Sequence, residues 1–485
     1  MKPNMFRSIS RLMMAAVVVS LPLTGMGRSK AQAKTPAQAQ SQTQTKSPKY
    51  IFYYIGDGMG IAHVTNTNNY KSRVLGQQMP LTMTTFPVAA MATTYSASSD
   101  VTDSAAAGTA LATGSKTKNG MLGTNADTLA VTSVAKKLFD DGYGVGLITT
   151  VAIDDATPGA FYAHVANRNQ HYDIGRQLAE SGYQFAAGAG LRGTKDKQGN
   201  DSGLLDYFAE NNVSVSYGLD GLDETASRLL VLSPMDNPNE IGYAIDSIPG
   251  ALTLPGLTQA GLNHLEKVSP DRFFMMVEGG SIDHAGHSND GGTVVREVIS
   301  FDQALQIAYN FYLAHPDETL IVVTADHETG GMSVGCQATG YSQNLKKMRS
   351  QKISKDEFAA YCRSMLKSRM IFTWEDMLQY MADNLGVGTA IEFNPEEMEK
   401  LHGMFNEVFE RRNEGFTEKT LYSSADGFTR EVYRLLNEKS GIGWTTNCHT
   451  GSPVPVFAIG VGAQEFNGMN DNTDLPAKIL KIAGK

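Results

Sequence analysis

Residues able to bind metal ions or attack an ester recur along this chain at the ends of apolar runs. The densest group is Glu278-Gly279-Gly280-Ser281-Ile282-Asp283-His284-Ala285-Gly286-His287. It follows Phe273-Phe274-Met275-Met276-Val277, which reads as a buried strand. If Asp283 to His287 forms one helical turn, the first and last side chains share a face. Carboxylate oxygens beside imidazoles suit zinc, or zinc together with magnesium. The same residues could equally form a polar turn with solvated histidines, and the stretch alone does not choose.

Thr102-Asp103-Ser104-Ala105-Ala106-Ala107-Gly108 opens an alanine-rich helix with Ser104 near its start. Free N–H groups and the helix dipole favour an anion there. A serine in that position is either a helix cap or a nucleophile. No histidine lies near it in sequence and Gly-x-Ser-x-Gly is absent, so a nucleophilic role would call for a metal activator. Further on, Asp155 and Thr157 offer oxygen ligands of the kind magnesium prefers, and Arg168 carries a fork that can grip phosphate. Each has an ordinary counterpart, a cap or a surface arginine. The segment after Asp155 is expected to be helical as far as Arg168, with His164 on that helix in a structural role.

These residues need a frame. Apolar runs at Tyr50–Ile55, Gly144–Ile148, Leu229–Leu232, Phe273–Val277, Leu320–Thr324 and Pro455–Ile459 read as buried strands. Helical patterns such as Ser133–Asp140 and Val294–Leu313 separate most of them. The expected fold is therefore α/β, three-layered, with a mostly parallel central sheet and helices on both faces. Asp57, Glu278 and Asp326-His327 each follow a strand, where ligand sites of such sheets gather. Residues 337–446 break the rhythm and read as a helical insertion near the active-site side. Its helix starts are Ser354-Lys355-Asp356-Glu357, the weaker Thr373-Trp374-Glu375-Asp376, and Asn394-Pro395-Glu396-Glu397.

At the N-terminus, Lys2, Arg7 and Arg11 precede an apolar run from Leu12 to Leu23, and Ala31-Gln32-Ala33 offers a cleavage site. Residues 1–33 are read as a signal peptide, 34–48 as a flexible linker, and 49–485 as the catalytic domain. The run is short for a membrane span, so a periplasmic or secreted protein is expected. Cleavage would remove five positive charges (Lys2, Arg7, Arg11, Arg28, Lys30) and no acid, taking the net charge from −9 to −14. So acidic a surface excludes general nucleic-acid binding. Cys336, Cys362 and Cys448 are too few for a disulfide framework, and Cys448 is expected to be a small buried residue.

Taken together the blocks resemble the alkaline phosphatase family, in its phosphoserine-forming branch. The resemblance rests on Ile55-Gly56-Asp57-Gly58-Met59-Gly60, Thr102-Asp103-Ser104-Ala105-Ala106, Asp155-Ala156-Thr157-Pro158 with Arg168, and Glu278-Gly279 through Asp283 to His287. Thr324-Ala325-Asp326-His327 and His449-Thr450-Gly451 complete it. The blocks keep the family's order from residue 49 to about 460; residues 191–260 and the insertion carry none of them.

The resemblance implies two zinc ions and one magnesium. Asp283, His287 and His449 would hold one zinc; Asp57, Asp326, His327 and Ser104 would surround the other. Magnesium would take Asp57, Thr157 and Glu278, with Asp155 beside it. Without cations, the charges of Asp57, Asp155, Glu278, Asp283 and Asp326 would repel one another and exclude phosphate. Ser104 would attack phosphorus and form a phosphoserine that water then hydrolyses, Arg168 would bind the phosphoryl oxygens, and Asp103 would hold Arg168. Small phosphomonoesters would be substrates, inorganic phosphate a product, and a homodimer is allowed. His284 departs from patterns familiar in the family by occurring together with Asp155, and is read as standing behind the metal ligands. The rival readings are a diesterase or sulfate esterase, although Cys-x-Pro-x-Arg is absent, and a binding protein without turnover.

Overall fold

The computed structural model describes residues 47–368, 371–410 and 418–485. The expected signal peptide, 1–33, and linker residues 34–46 lie outside the described residues. Among the described residues no helix is long and apolar enough to cross a membrane.

The strands are β1 (Tyr50–Ile55), β2 (Val88–Thr93), β3 (Gly144–Thr149), β4 (Phe185–Gly188), β5 (Ser214–Tyr217), β6 (Leu229–Leu232), β7 (Phe273–Glu278), β8 (Thr319–Thr324), β9 (Glu328–Thr329), β10 (Ser333–Val334), β11 (Ile442–Gly443), β12 (His449–Thr450), β13 (Val454–Gly460) and β14 (Met469–Asp471). Ten of them form one sheet in the order β14-β2-β13-β8-β1-β7-β3-β4-β6-β5. Within this sheet every pairing is parallel except those of β13, which runs against both β8 and β2. The fold is thus α/β with a mostly parallel sheet, as the sequence leads one to expect. Helices Ile61–Arg73, Leu254–Val268 and Gly291–Ala314 pack together as one layer, and Ser104–Thr113, Val134–Asp140 and Asp474–Ile482 as another. Cover on both faces is why β3, β7 and β8 are buried along their whole length and read as unbroken apolar runs.

Register then sets the site. Ile55 lies level with both Glu278 and Thr324, and Thr149 level with Glu278. Four adjacent strands, β8, β1, β7 and β3, therefore end at one height, and the polar residues beyond them converge. Because β13 runs the other way, its entry lies at that same end. Phe457 pairs with Val323, and the Thr324 hydroxyl donates to Pro455 O at 3.1 Å. His449, five residues before β13, is fixed further by pairing of β12 with β9, His449 opposite Thr329.

The helix Ser104–Thr113 is buried from Ser104 through Ala112 and consists mainly of alanine, glycine and threonine. Small side chains let it lie close to its neighbour: a Cβ on Gly108 would stand 3.1 Å from Thr157 Cα. In the 337–446 region, helices Lys355–Lys367, Trp374–Leu385, Pro395–Phe405 and Glu418–Ser440 enclose a core of Phe358, Cys362, Met381, Leu401, Phe405 and Phe428. Thr373 with Asp376 and Asn394 with Glu397 make complete capping boxes. Ser354 caps through Glu357 N–H, but its own N–H goes to Asp246 at 2.6 Å, so that box stays half made.

Two expectations need correction. The helix after Asp155 spans only Ala156–Gly159 and does not reach Arg168. Val165 instead pairs with Leu122, Arg168 N–H donates to Gly120 O at 2.8 Å, and His164 lies off any helix with Nδ1 held by Gly123 O. Tertiary backbone pairing here overrides local propensity. Cys448 is exposed, not buried, because its carbonyl is taken by Gly330 N–H and its side chain points outward. All three thiols are free.

Gly58 joins β1 to the site with φ of +69°, and an added Cβ would meet Thr329 Oγ1 at 2.7 Å and Asp283 Oδ1 at 2.9 Å. Gly76 has a similar φ, +67°, with nothing within 4 Å. Gly58→Ala should therefore cost about 2–4 kcal/mol and Gly76→Ala about 1 kcal/mol, read by urea unfolding. Equal losses would mean that the crowding around Asp283 carries no energy.

Candidate active site

At the level end of the sheet, Asp326 is oriented first. Its Oδ1 accepts from Gly58 N–H at 3.1 Å and from His327 N–H at 2.9 Å, leaving Oδ2 aimed inward, 3.2 Å from His327 Nε2. Asp57 Oδ1 stands 3.3 Å from the same nitrogen, and Ser104 Oγ 3.2 Å from it. One donor atom each from Asp57, Asp326 and His327 lie within 4.8 Å of one another. Ser104 is the first residue of its helix; the cap is Asp103, whose Oδ1 accepts from Ala106 N–H at 2.9 Å. Of the two roles open to Ser104, capping is thus already filled by its neighbour.

A second group adjoins the first. Asp283 lies in the short helix Ser281–His287 that follows β7, and its Oδ2 is 3.3 Å from His287 Nε2 one turn on. His449 Nε2 lies 3.6 Å from Asp283 Oδ1 and 3.0 Å from His287 Nε2, and its ring stacks on His327 with centroids 3.6 Å apart. Asp283, His327 and His449 likewise hold donor atoms within 4.8 Å. The Thr329 hydroxyl donates to Asp283 and fixes that carboxylate.

The hydrogen bonds of the two outer imidazoles determine what they offer. His287 Nδ1 faces Asn447 O at 2.7 Å and His449 Nδ1 faces Thr102 O at 2.8 Å. A carbonyl only accepts, so each Nδ1 carries its proton and each neutral ring presents a bare Nε2. Two such lone pairs 3.0 Å apart repel unless a proton or a cation lies between them. Backbone carbonyls behind imidazoles are also how proteins orient metal-binding histidines.

Four buried oxygens add to this. Asp57 Oδ1, Asp326 Oδ2, Glu278 Oε1 and Thr157 Oγ1 have no hydrogen-bond partner among the described residues. Each such buried acceptor costs about 1–3 kcal/mol if nothing satisfies it. Burial, then the charges of Asp326, Asp283 and Glu278, pushes Asp57 well above the usual carboxylate range. Burial pushes Asp326 up to about 7 and Glu278 up to about 8. For Asp283 burial acts the same way, but the His287 hydrogen bond and three nearby imidazoles outweigh it and hold the group below the usual range. This donor set of carboxylates, a hydroxyl and imidazoles fits divalent zinc and magnesium.

The third cluster lies around Asp155. Its Oδ1 accepts from Ala156 N–H at 2.7 Å and from Arg168 at 3.2 Å; its Oδ2 pairs with Arg192 at 2.9 Å. Burial would raise this carboxyl, but Arg192 and Arg168 outweigh it and hold it low. Arg168 also meets Asp103 Oδ2, at 3.4 Å. Both contacts of Arg168 are long, so its fork is not committed to either partner. His284 Nδ1 lies 2.6 Å from Glu240 Oε1. Burial would lower His284, yet Glu240 outweighs it and pushes it up to about 9.

Arg192, Glu240, Asn239 and Thr329 escaped the sequence reading. Asn239 accepts from Arg192 Nε at 2.8 Å, so one loop, residues 239–240, supports both Arg192 and His284. Nothing in Leu191-Arg192-Gly193-Thr194 or Asn239-Glu240 marks them in sequence, since Arg192 acts from a short 3-10 turn and residues 239–240 from a loop that only the fold brings near.

The raised carboxyls lead to a test. Asp326 and Glu278 are mostly protonated below their values of about 7 and 8. They must ionise to bind a cation, so metal affinity should rise with pH through that range. Adding zinc and magnesium to metal-free protein at about pH 6.5 should release at least about one proton per chain, and far less at about pH 9. The measurement is the buffer-ionisation dependence of the binding heat; equal release at both pH values would contradict this account of the site.

The chain as a whole is similar to known proteins. A family model described as alkaline phosphatase matches residues 48–189 and 193–485. Alkaline phosphatase 4 of Bacillus subtilis (strain 168) is 27% identical over 445 residues, covering 89% of this chain and 88% of its own. The solved cold-active alkaline phosphatase from a psychrophilic Shewanella sp. is 28% identical with a TM-score of 0.75, covering 90% of this chain and 100% of that one. A solved mutant of the alkaline phosphatase from the Antarctic bacterium TAB5, with magnesium bound in its M3 site, is 25% identical with a TM-score of 0.63, covering 91% and 99%. With the sheet-end cluster of carboxylates, imidazoles and serine on one side and a match over nearly the whole described chain on the other, this protein belongs to the alkaline phosphatase family, a family of metal-dependent phosphomonoester hydrolases.

Proposed function

We propose that this protein hydrolyses phosphate monoesters to an alcohol and inorganic phosphate through a covalent phosphoserine at Ser104. The observation that carries the reading is the place of Ser104. Its hydroxyl lies 3.2 Å from His327 Nε2, at the start of a buried helix and beside Asp57 and Asp326.

Asp283, His287 and His449 would hold one zinc, Asp57, Asp326 and His327 the other, and Asp57, Thr157 and Glu278 a magnesium. When bound, these ions would supply Lewis-acid activation of the hydroxyl and leaving oxygen and would neutralise the clustered carboxylates. The remaining work falls to the chain itself. Ser104 gives up its hydroxyl proton to solvent and its Oγ forms a bond to phosphorus as the bond from phosphorus to the alcohol oxygen breaks, the departing alkoxide taking a proton from solvent. Water later attacks the same phosphorus, breaks its bond to Oγ and releases phosphate. Arg168 would turn one arm of its fork from Asp155 to the nonbridging oxygens while Asp103 keeps the other, which its long contacts permit. Asp103 would fix both the helix start and the arginine. Both oxygens of Asp155 are already taken, so its contact with magnesium would run through water. His284, turned toward Glu240, would stand behind the ligands. Two displacements, each inverting, would leave configuration at phosphorus retained. Export to the periplasm or medium, directed by residues 1–33, is part of the same proposal.

Ser104→Ala should lower kcat/KM for a phosphomonoester at least about a thousandfold while metal content stays at the wild-type level. Wild-type protein quenched in acid during turnover should carry phosphate on Ser104, read by peptide mass spectrometry. Unchanged activity in the variant would refute the serine route. Assay of a monoester, a diester and a sulfate ester side by side should give the monoester the largest kcat/KM; a preference for either other ester would refute the substrate class.

A further inference from the structure

A cavity of about 660 Å³ opens beside His287. One wall is the helix Glu418–Ser440, contributing Arg430, Tyr433, Arg434 and Asn437, with Lys355 from the start of the neighbouring helix Lys355–Lys367; the other is the return segment through Trp444. Its size suits a hexose-sized group. We propose that this cavity is the leaving-group pocket, and that it selects phosphate monoesters whose alcohol carries a second anionic group. The proposal rests on the phosphatase reading above.

Position is the first argument. An in-line displacement places the departing oxygen opposite the nucleophile. Ser104 adjoins the Asp57, Asp326 and His327 group, so the departing oxygen lies toward Asp283, His287 and His449. His287 has a side chain 40% exposed and also lines the cavity. The alcohol therefore leaves in that direction, between the core and the 337–446 helices.

Charge is the second. Arg434 is neutralised by Glu431 and Glu438. Lys355 donates to Ser288 O at 2.8 Å and faces Asp290, Asp356 and Asp426. The exposed side chain of Arg430 has no hydrogen bond or ion pair among the described residues, and it lines the same cavity. In a chain of net charge −9, an uncommitted arginine in a pocket adjoining the metal-binding residues is a local attractor for an anion. Trp444, half-buried in the cavity wall, offers a flat surface against which the leaving group can lie. A neutral leaving group would use that surface only; an anionic one would also pair with Arg430.

The test compares glucitol 6-phosphate with 6-phosphogluconate, two open-chain esters that differ by a carboxylate in place of a hydroxymethyl group at the far end of the leaving group. The zinc- and magnesium-loaded full chain is used, and the readout is the ratio of the two kcat/KM values. In the wild type the ratio should favour the anionic ester. Arg430→Ala should lower it about tenfold, Arg430→Glu should lower it further, and Arg430→Lys should restore part of it. A ratio unchanged in all three variants, with both esters still turned over, overturns the pocket and leaves the phosphatase reading standing. No turnover of either ester by the loaded wild type overturns that reading and the pocket together.

Discussion

Asp57, Glu278, Asp283 and Asp326 cannot share one buried pocket as bare carboxylates, and His287 and His449 cannot hold bare nitrogens 3.0 Å apart without something between them. That repulsion is the constraint on which the rest of the structure depends. The backbone and side chains around the pocket hold these groups together against it. Gly58 and His327 N–H groups fix Asp326, the Thr329 hydroxyl fixes Asp283, and two backbone carbonyls fix the imidazoles. A frame that pays such a cost without cations is built to receive them.

The sheet makes the frame possible. Four parallel strands ending level deliver Asp57, Glu278 and Asp326 without any long-range loop having to find its place. The reversed β13 brings His449 to the same end from the far terminus of the chain. The alanine-rich helix then lowers Ser104 into the group, with Gly108 allowing its approach to Thr157. Each contribution is short-range in structure although the residues span almost four hundred positions in sequence.

Much of this was legible before any coordinates. β1, β7 and β8 are buried on both faces and announce themselves as unbroken apolar runs, each with its polar residue at the strand end or two residues beyond it. Other parts were not legible, for physical reasons. β2 (Val-Ala-Ala-Met-Ala-Thr) and β4 (Phe-Ala-Ala-Gly) are rich in alanine, which carries no strand signal. The expected helix to Arg168 gave way to pairing between Val165 and Leu122, which no local pattern encodes. Arg192 and Glu240 come from a stretch without motifs, and their value lies in contacts with Asp155 and His284 that exist only after folding. Of the capping signals at Ser354 and Thr373, the weaker one at Thr373 is the complete box, because Asp246 takes the N–H that Ser354 would have offered.

The central claim is that these groups are arranged around cations, and diffraction from crystals grown with zinc and magnesium, recorded on both sides of the zinc absorption edge, tests it most directly. The expected result is two zinc peaks, one among Asp283, His287 and His449 and one among Asp57, Asp326 and His327, with a lighter ion beside Glu278 and Thr157. Anomalous density absent from both positions, with His287 and His449 sharing a proton in a direct hydrogen bond, would contradict it.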